Sequence, residues 1–142
     1  MMDLQQAQDL CNQAFSAYEN KDFDLAISLL SQIERSSDEV KEIYAEAQYN
    51  LGIVFKELKR YEEAEQAYKN VQREDSLGQY VRAQNNLGNL LSDLKRFDEA
   101  ERVYKNVSRE DSLEQYARAQ FNLGVLLKQQ QRFDEAEQAY KN

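Results

Sequence analysis

Four asparagines occupy matched places in this chain: Asn50, Asn86 and Asn122 directly precede a Leu-Gly pair, and Asn12 precedes Gln13-Ala14. Asparagine is a mediocre helix former, so its return at one register position needs a reason. A carboxamide both donates and accepts, so it can satisfy the N–H and the C=O of an extended peptide without demanding any particular side chain. The same amide could instead bridge neighbouring helices. Other reactive chemistry is scarce. Histidine is absent and Cys11 is the lone cysteine, which leaves no His-based catalysis, no intrachain disulfide and no His/Cys metal cluster. The carboxylate pairs Glu62/Glu63, Asp98/Glu99 and Asp134/Glu135 could form an acid–base dyad, but adjacent helical residues diverge by about 100°. Recurring three times near helix starts, they read as charges that complement the helix dipole. Gly52, Gly88 and Gly124 are single glycines inside helical patterns, unlike a clustered phosphate cradle, and imply close helix approach. Asn106-Val107-Ser108 matches a glycosylation sequon of the kind that arises often by chance. The reading is a chain that is not an enzyme and holds no cofactor or metal.

The elements that must carry these residues are helical. Among 142 residues there is no proline and there are four glycines, with 42% apolar and 31% charged side chains, a composition that favours regular helix over β-structure. The net charge of −8 opposes phosphate-backbone binding, so nucleic acid is not an expected partner. No apolar run approaches a membrane span, and Met1-Met2-Asp3 opens neither a signal nor a transit peptide, so the default compartment is the cytoplasm.

Internal repetition sets the architecture. Residues 47–82 recur at 83–118 with 23 of 36 positions identical, and a third copy runs from Ala119 to Asn142. A diverged first copy aligns when Ala14, Phe23, Ala26 and Leu30 are set 38 residues ahead of Gly52, Tyr61, Ala64 and Tyr68. The repeats fall at approximately 1–35, 36–75, 76–111 and 112–142, the last one truncated, in a single repeat domain. Leu51, Phe55 and Leu58, then Tyr61, Ala64, Tyr68 and Val71, mark two amphipathic helices per unit. The patterns predict helices over 3–20, 22–35, 37–59, 61–73, 76–95, 97–109, 112–131 and 133–142. Ser36-x-x-Glu39, Ser76-x-x-Gln79 and Ser112-x-x-Gln115 read as capping boxes. One hairpin cannot bury its apolar face alone, so successive hairpins are expected to stack into an all-α solenoid.

Leu51-Gly52, Phe55, Tyr61, Ala64 and Tyr68, with their counterparts Leu87-Gly88, Leu91, Phe97, Ala100 and Tyr104, then Leu123-Gly124, Leu127, Phe133, Ala136 and Tyr140, resemble the tetratricopeptide repeat (TPR). The resemblance covers nearly the whole chain. It implies a right-handed α-solenoid of antiparallel hairpins that binds other proteins. Each full unit is two residues longer than usual, and Arg-Glu-Asp-Ser at 73–76 and 109–112 replaces a frequent proline, which reads as a longer first helix. Tyr44, Tyr80 and Tyr116 are expected to extend the inter-helix seam. The first unit holds most of the net charge and suits a solvated cap. The chain stops within a second helix, so Tyr140 and its neighbours are expected to present an apolar stacking face, as in a fragment of a longer array or a chain that self-associates.

The resemblance also implies that Asn12, Asn50, Asn86 and Asn122 line a concave groove. On the same helix faces stand Phe15, Tyr18, Glu19, Glu46, Tyr49, Ile53, Lys56 and Glu57, then Arg82, Asn85, Asn89, Arg118, Phe121, Val125 and Lys128. Acidic groups dominate the first half of this set and basic ones the second. The leading expectation is a protein–protein interaction scaffold that holds an extended peptide segment on its asparagines. The alternatives are a homo-oligomer assembled by end-to-end stacking through the Tyr140 helix and the first hairpin, and a regulatory repeat region of a larger protein.

Overall fold

The computed structural model describes residues 2–142, and among these it contains eight α-helices and no strand. They are α1 (Leu4–Glu19), α2 (Phe23–Ser31), α3 (Lys41–Glu57), α4 (Tyr61–Lys69), α5 (Leu77–Asp93), α6 (Phe97–Lys105), α7 (Leu113–Gln129) and α8 (Phe133–Lys141). Two compact units divide the chain, residues 1–80 and 81–142. Within the first, α1 packs on α2 and α3, α2 on α3, and α3 on α4; within the second, α6 packs on α7 and α7 on α8.

Each hairpin closes through one residue in the left-handed region, Lys21, Lys59, Lys95 or Gln131, at φ 60–62°. In the second hairpin Lys59 N–H donates to Lys56 O at 2.9 Å and Arg60 N–H to Phe55 O at 2.8 Å, which satisfies the last carbonyls of α3 and reverses the chain. Three of the four short helices, α4, α6 and α8, then start at an arginine. Arg60, Arg96 and Arg132 each grip the glutamate three residues on, with Nε–Oε distances of 2.6–2.7 Å. Thus one member of each paired carboxylate is held by a guanidinium beside the positive end of the helix.

The glycines have a packing cause. A Cβ on Gly52 would lie 2.3 Å from Tyr68 Cε1, and one on Gly88 or Gly124 would lie 2.4 Å from Cε1 of Tyr104 or Tyr140. In α4, α6 and α8 the tyrosine ring therefore packs directly against the bare backbone of the long helix. Tyr68 and Tyr104 are 1% and 2% exposed, so neither ring has room to retreat. A second clasp closes the far end of the same hairpins, where Asn70 Nδ2 donates to Gln48 Oε1 at 2.9 Å, Asn106 to Gln84 at 3.0 Å and Asn142 to Gln120 at 3.3 Å.

Several expected boundaries move. The short helices α4 and α6 end at Lys69 and Lys105, four residues early, because Val71 and Val107 turn inward and are buried just past the helix end. The Arg-Glu-Asp-Ser segments do not lengthen the following helices; Arg73–Asp75 and Arg109–Asp111 are turns. Asp75 explains the first. Its side chain is wholly buried and accepts from Arg35 Nε at 2.8 and 2.9 Å and from Nη2 at 2.7 Å, pinning the α2–α3 connection. The expected Ser36 cap is not made. α3 begins at Lys41, where buried Val40 fixes the start, and its cap position makes no side-chain hydrogen bond. Ser76 and Ser112 do cap, accepting from Gln79 N at 3.3 Å and Gln115 N at 3.2 Å. The complete reciprocal box is at Asp3 and Gln6, which the sequence reading missed. Tyr44, Tyr80 and Tyr116 are half-buried.

Gly88→Ala should destabilise the fold by about 1–3 kcal/mol in urea unfolding despite alanine's better helix propensity, since the new methyl overlaps a ring that cannot move. Adding Tyr104→Leu should recover part of that loss relative to the sum of the single changes; strict additivity would contradict the contact.

The arginine clasps carry a pH signature. Hydrogen bonds from Arg132 hold the carboxyls of Glu101 and Glu135 below the ordinary 4.5. A lowered folded value means that this stability is present above the unfolded pKa and is lost as pH falls through the folded one. Between about pH 5 and pH 3 the native chain should therefore lose more Tm than Arg132→Gln; parallel Tm–pH curves would rule the contribution out.

Candidate functional site

In the first unit α1 and α3 lie side by side, and between them opens a cavity of about 670 Å³. Asn12, Asn50 and Ile53 line it, as their shared register implies, together with Phe15, Tyr18, Glu19 and Glu46. Its inner wall is apolar and comes from Cys11, Ala14, Ala26, Leu30 and Val54, all buried. Phe15 stands at 63% exposure, a large apolar surface presented to solvent. Asn50 is half-buried, and among the described residues no side chain or backbone group pairs with its amide. Asn12 is exposed and accepts from Gln8 Nε2 at 3.3 Å. Tyr18 donates to Glu57 Oε1 at 3.4 Å, which brings a third carboxylate beside Glu19 and Glu46.

Tyr49 and Lys56, also on α3, do not line the cavity. Both are half-buried, and the Tyr49 ring is tilted against Tyr68 with centroids 6.2 Å apart. Cys11 supplies no nucleophile. Burial foremost, and the nearby Glu46 carboxylate second, push its thiol up to about 11, so it stays protonated at neutral pH.

In the second unit Asn86 and Asn122 are half-buried on α5 and α7, and the Asn122 amide, like that of Asn50, has no partner among the described residues. Val125 is half-buried, whereas Arg82, Arg118 and Lys128 are exposed. Arg118 reaches back to Glu114 at 3.7 Å on its own helix, a contact too loose to hold it in place. Two residues of the expected groove are otherwise engaged. Asn85 is 1% exposed, and its amide donates to Gln115 O and Oε1, both at 3.0 Å, tying α5 to the start of α7. Buried in this way it cannot meet a ligand, a correction to its assignment. Asn89 accepts from the Tyr104 hydroxyl, whose pKa burial raises. Helical spacing alone does not reveal that the start of α7 covers Asn85.

Phe121, Phe133 and Tyr140 are 59%, 59% and 47% exposed. The outer face of α1 is different in kind. Gln5, Asp9 and Gln13, 38 residues ahead of buried Ile43, Ala47 and Leu51, are all exposed, a polar surface suited to solvent.

Helical register alone does not point to the inner cavity wall, although the aligned repeats carry its signal. At the positions of Tyr49 and Tyr68 the first hairpin has Cys11 and Leu30. The aligned helix ends confirm the register, since α1 and α2 end at Glu19 and Ser31 and α3 and α4 at Glu57 and Lys69.

Asn85→Ala should destabilise the fold by about 1–3 kcal/mol, because the buried Gln115 acceptors lose their donor. Thermal unfolding measures this, and an unchanged Tm would contradict the strut.

No curated protein matches the chain. The family model described as tetratricopeptide repeat matches residues 11–78 and 85–141. Repeats of this family generally mediate protein–protein interaction and form non-catalytic scaffolds. With glycine–tyrosine hairpins repeated along its helices and a family match over most of its length, the chain belongs to the tetratricopeptide-repeat family.

Proposed function

We propose that this chain is a non-enzymatic interaction module that captures an extended segment of another protein on the inner faces of its long helices. Asn12, Asn50, Asn86 and Asn122 form the ladder that holds the segment's backbone. The observation that carries the reading is the pair Asn50 and Asn122, one in each unit, half-buried at the same register with amides that have no partner among the described residues. A half-buried amide without a partner is ready to bond a ligand's N–H and C=O, and each such bond contributes about 0.5–1.5 kcal/mol. Backbone capture gives affinity without sequence preference. Preference then comes from the flanking side chains: Phe15, Ile53 and Val125 for apolar contacts, acids in the first unit and Arg82, Arg118 and Lys128 in the second.

The test is a random-peptide phage library selected on the full chain and on Asn50→Ala/Asn86→Ala/Asn122→Ala. Selected peptides should lose at least about tenfold in affinity for the triple variant, the loss of two or three backbone bonds, while its helical circular dichroism is kept. Equal affinity for both proteins would remove the ladder.

A further inference from the structure

The second and fourth hairpins fill their inner space with a pair of rings, whereas the third has Tyr104 alone, with Asn85 in the place of the other ring. Tyr49 is tilted on Tyr68 with centroids 6.2 Å apart, and Phe121 on Tyr140 at 5.9 Å. Each pair rests on its glycine, Gly52 or Gly124. In the first hairpin all three positions change together, to Cys11, Leu30 and Ala14. The changes are mutually consistent, because a Cβ at Gly52 would lie 2.3 Å from the Tyr68 ring, so alanine at this place excludes tyrosine opposite it. Two rings are lost from these positions, and the cavity of about 670 Å³ is walled there by Cys11, Ala14 and Leu30, with the Phe15 and Tyr18 rings of α1 also in its lining. Among the described residues its lining contains two carboxylates, Glu19 and Glu46, and no basic side chain.

We infer that the first unit holds an anchor pocket for an aromatic side chain of the bound segment, flanked in that segment by lysine or arginine. The ligand's ring takes the place of the ring pair that the first hairpin lacks, against Leu30 and Val54. Its neighbouring cations face Glu46 and Glu19, with apolar stems along Phe15 and Ile53. An aromatic anchor in a preformed apolar pocket contributes more affinity than charges at a rim, so the ring sets the register and the cations set the preference. This deepens the proposed function, since it rests on capture of an extended segment on these helices.

The probe is a fluorescein-labelled hexapeptide, glycine-lysine-phenylalanine-lysine-serine-glycine, titrated into the full chain by anisotropy, with analogues carrying alanine for phenylalanine or glutamate for both lysines. Two variants refill the pocket from within: Cys11→Phe, and Ala14→Gly with Leu30→Tyr, which restores the pairing of the other hairpins. Because that pairing is native to the fold, a thermal melt should show both folded. Each should bind the phenylalanine peptide at least about tenfold more weakly than the native chain does, and the alanine analogue should lose as much on the native chain. Glu19→Gln/Glu46→Gln should weaken the lysine peptide several-fold, with a shallower salt dependence. Native affinity in both refilled variants, equal binding of the glutamate analogue, or no saturable binding of any peptide would overturn the pocket. The triple asparagine variant separates the two readings. If it weakens every peptide while the refilled variants weaken none, the ladder stands and the pocket falls; the reverse result keeps the pocket and removes the ladder.

Discussion

The contact on which this structure depends is a tyrosine ring laid on a helix that has no side chain beneath it. Gly52, Gly88 and Gly124 each give up helix propensity, at about 1 kcal/mol against alanine, so that Tyr68, Tyr104 and Tyr140 can approach the backbone. For Tyr68 and Tyr104, which are buried, covering the ring more than offsets that cost. Short helices of nine residues are too short to hold themselves together in water, so they exist because this ring and the alanines beside it pack on the long helix. The arginine grip at one end and the asparagine–glutamine clasp at the other fix the register around that contact.

The fold was legible because its causes are periodic. Glycine, tyrosine and alanine return at a fixed interval, and only close-packed hairpins give three widely spaced glycines a common purpose. Ends of elements were less legible. α4 and α6 stop before the apolar pattern does, since Val71 and Val107 are buried from a turn as well as they could be from a helix. Asp75 carried no visible signal either, because its partner Arg35 stands forty residues away in a connection with no counterpart in the other repeats.

The candidate site was partly legible for a related reason. A shared register places Asn12, Asn50 and Ile53 on one cavity wall, and they do line it. Register says nothing about cover, so Asn85, equivalent to Tyr49 and Phe121, turned out to be a buried strut beneath α7. The inner wall was missed because Cys11, Ala14 and Leu30 are unremarkable one by one. They acquire meaning only together: Ala14 and Leu30 stand where every other hairpin has its glycine and tyrosine, and Cys11 where the second and fourth have a further ring. Departure from a repeat is thus as informative as the repeat: where a packing device is deleted as a set, the space it filled becomes available to a ligand.

The most direct measurement is a methyl-resolved NMR titration of the intact chain with the phenylalanine hexapeptide. Methyl groups of Leu30, Ile53 and Val54 should shift together and saturate with one affinity, with ring-current shifts that vanish for the alanine analogue. If those methyls stay fixed while resonances on the outer face move, the ligand docks elsewhere and the vacated hairpin is not the binding pocket.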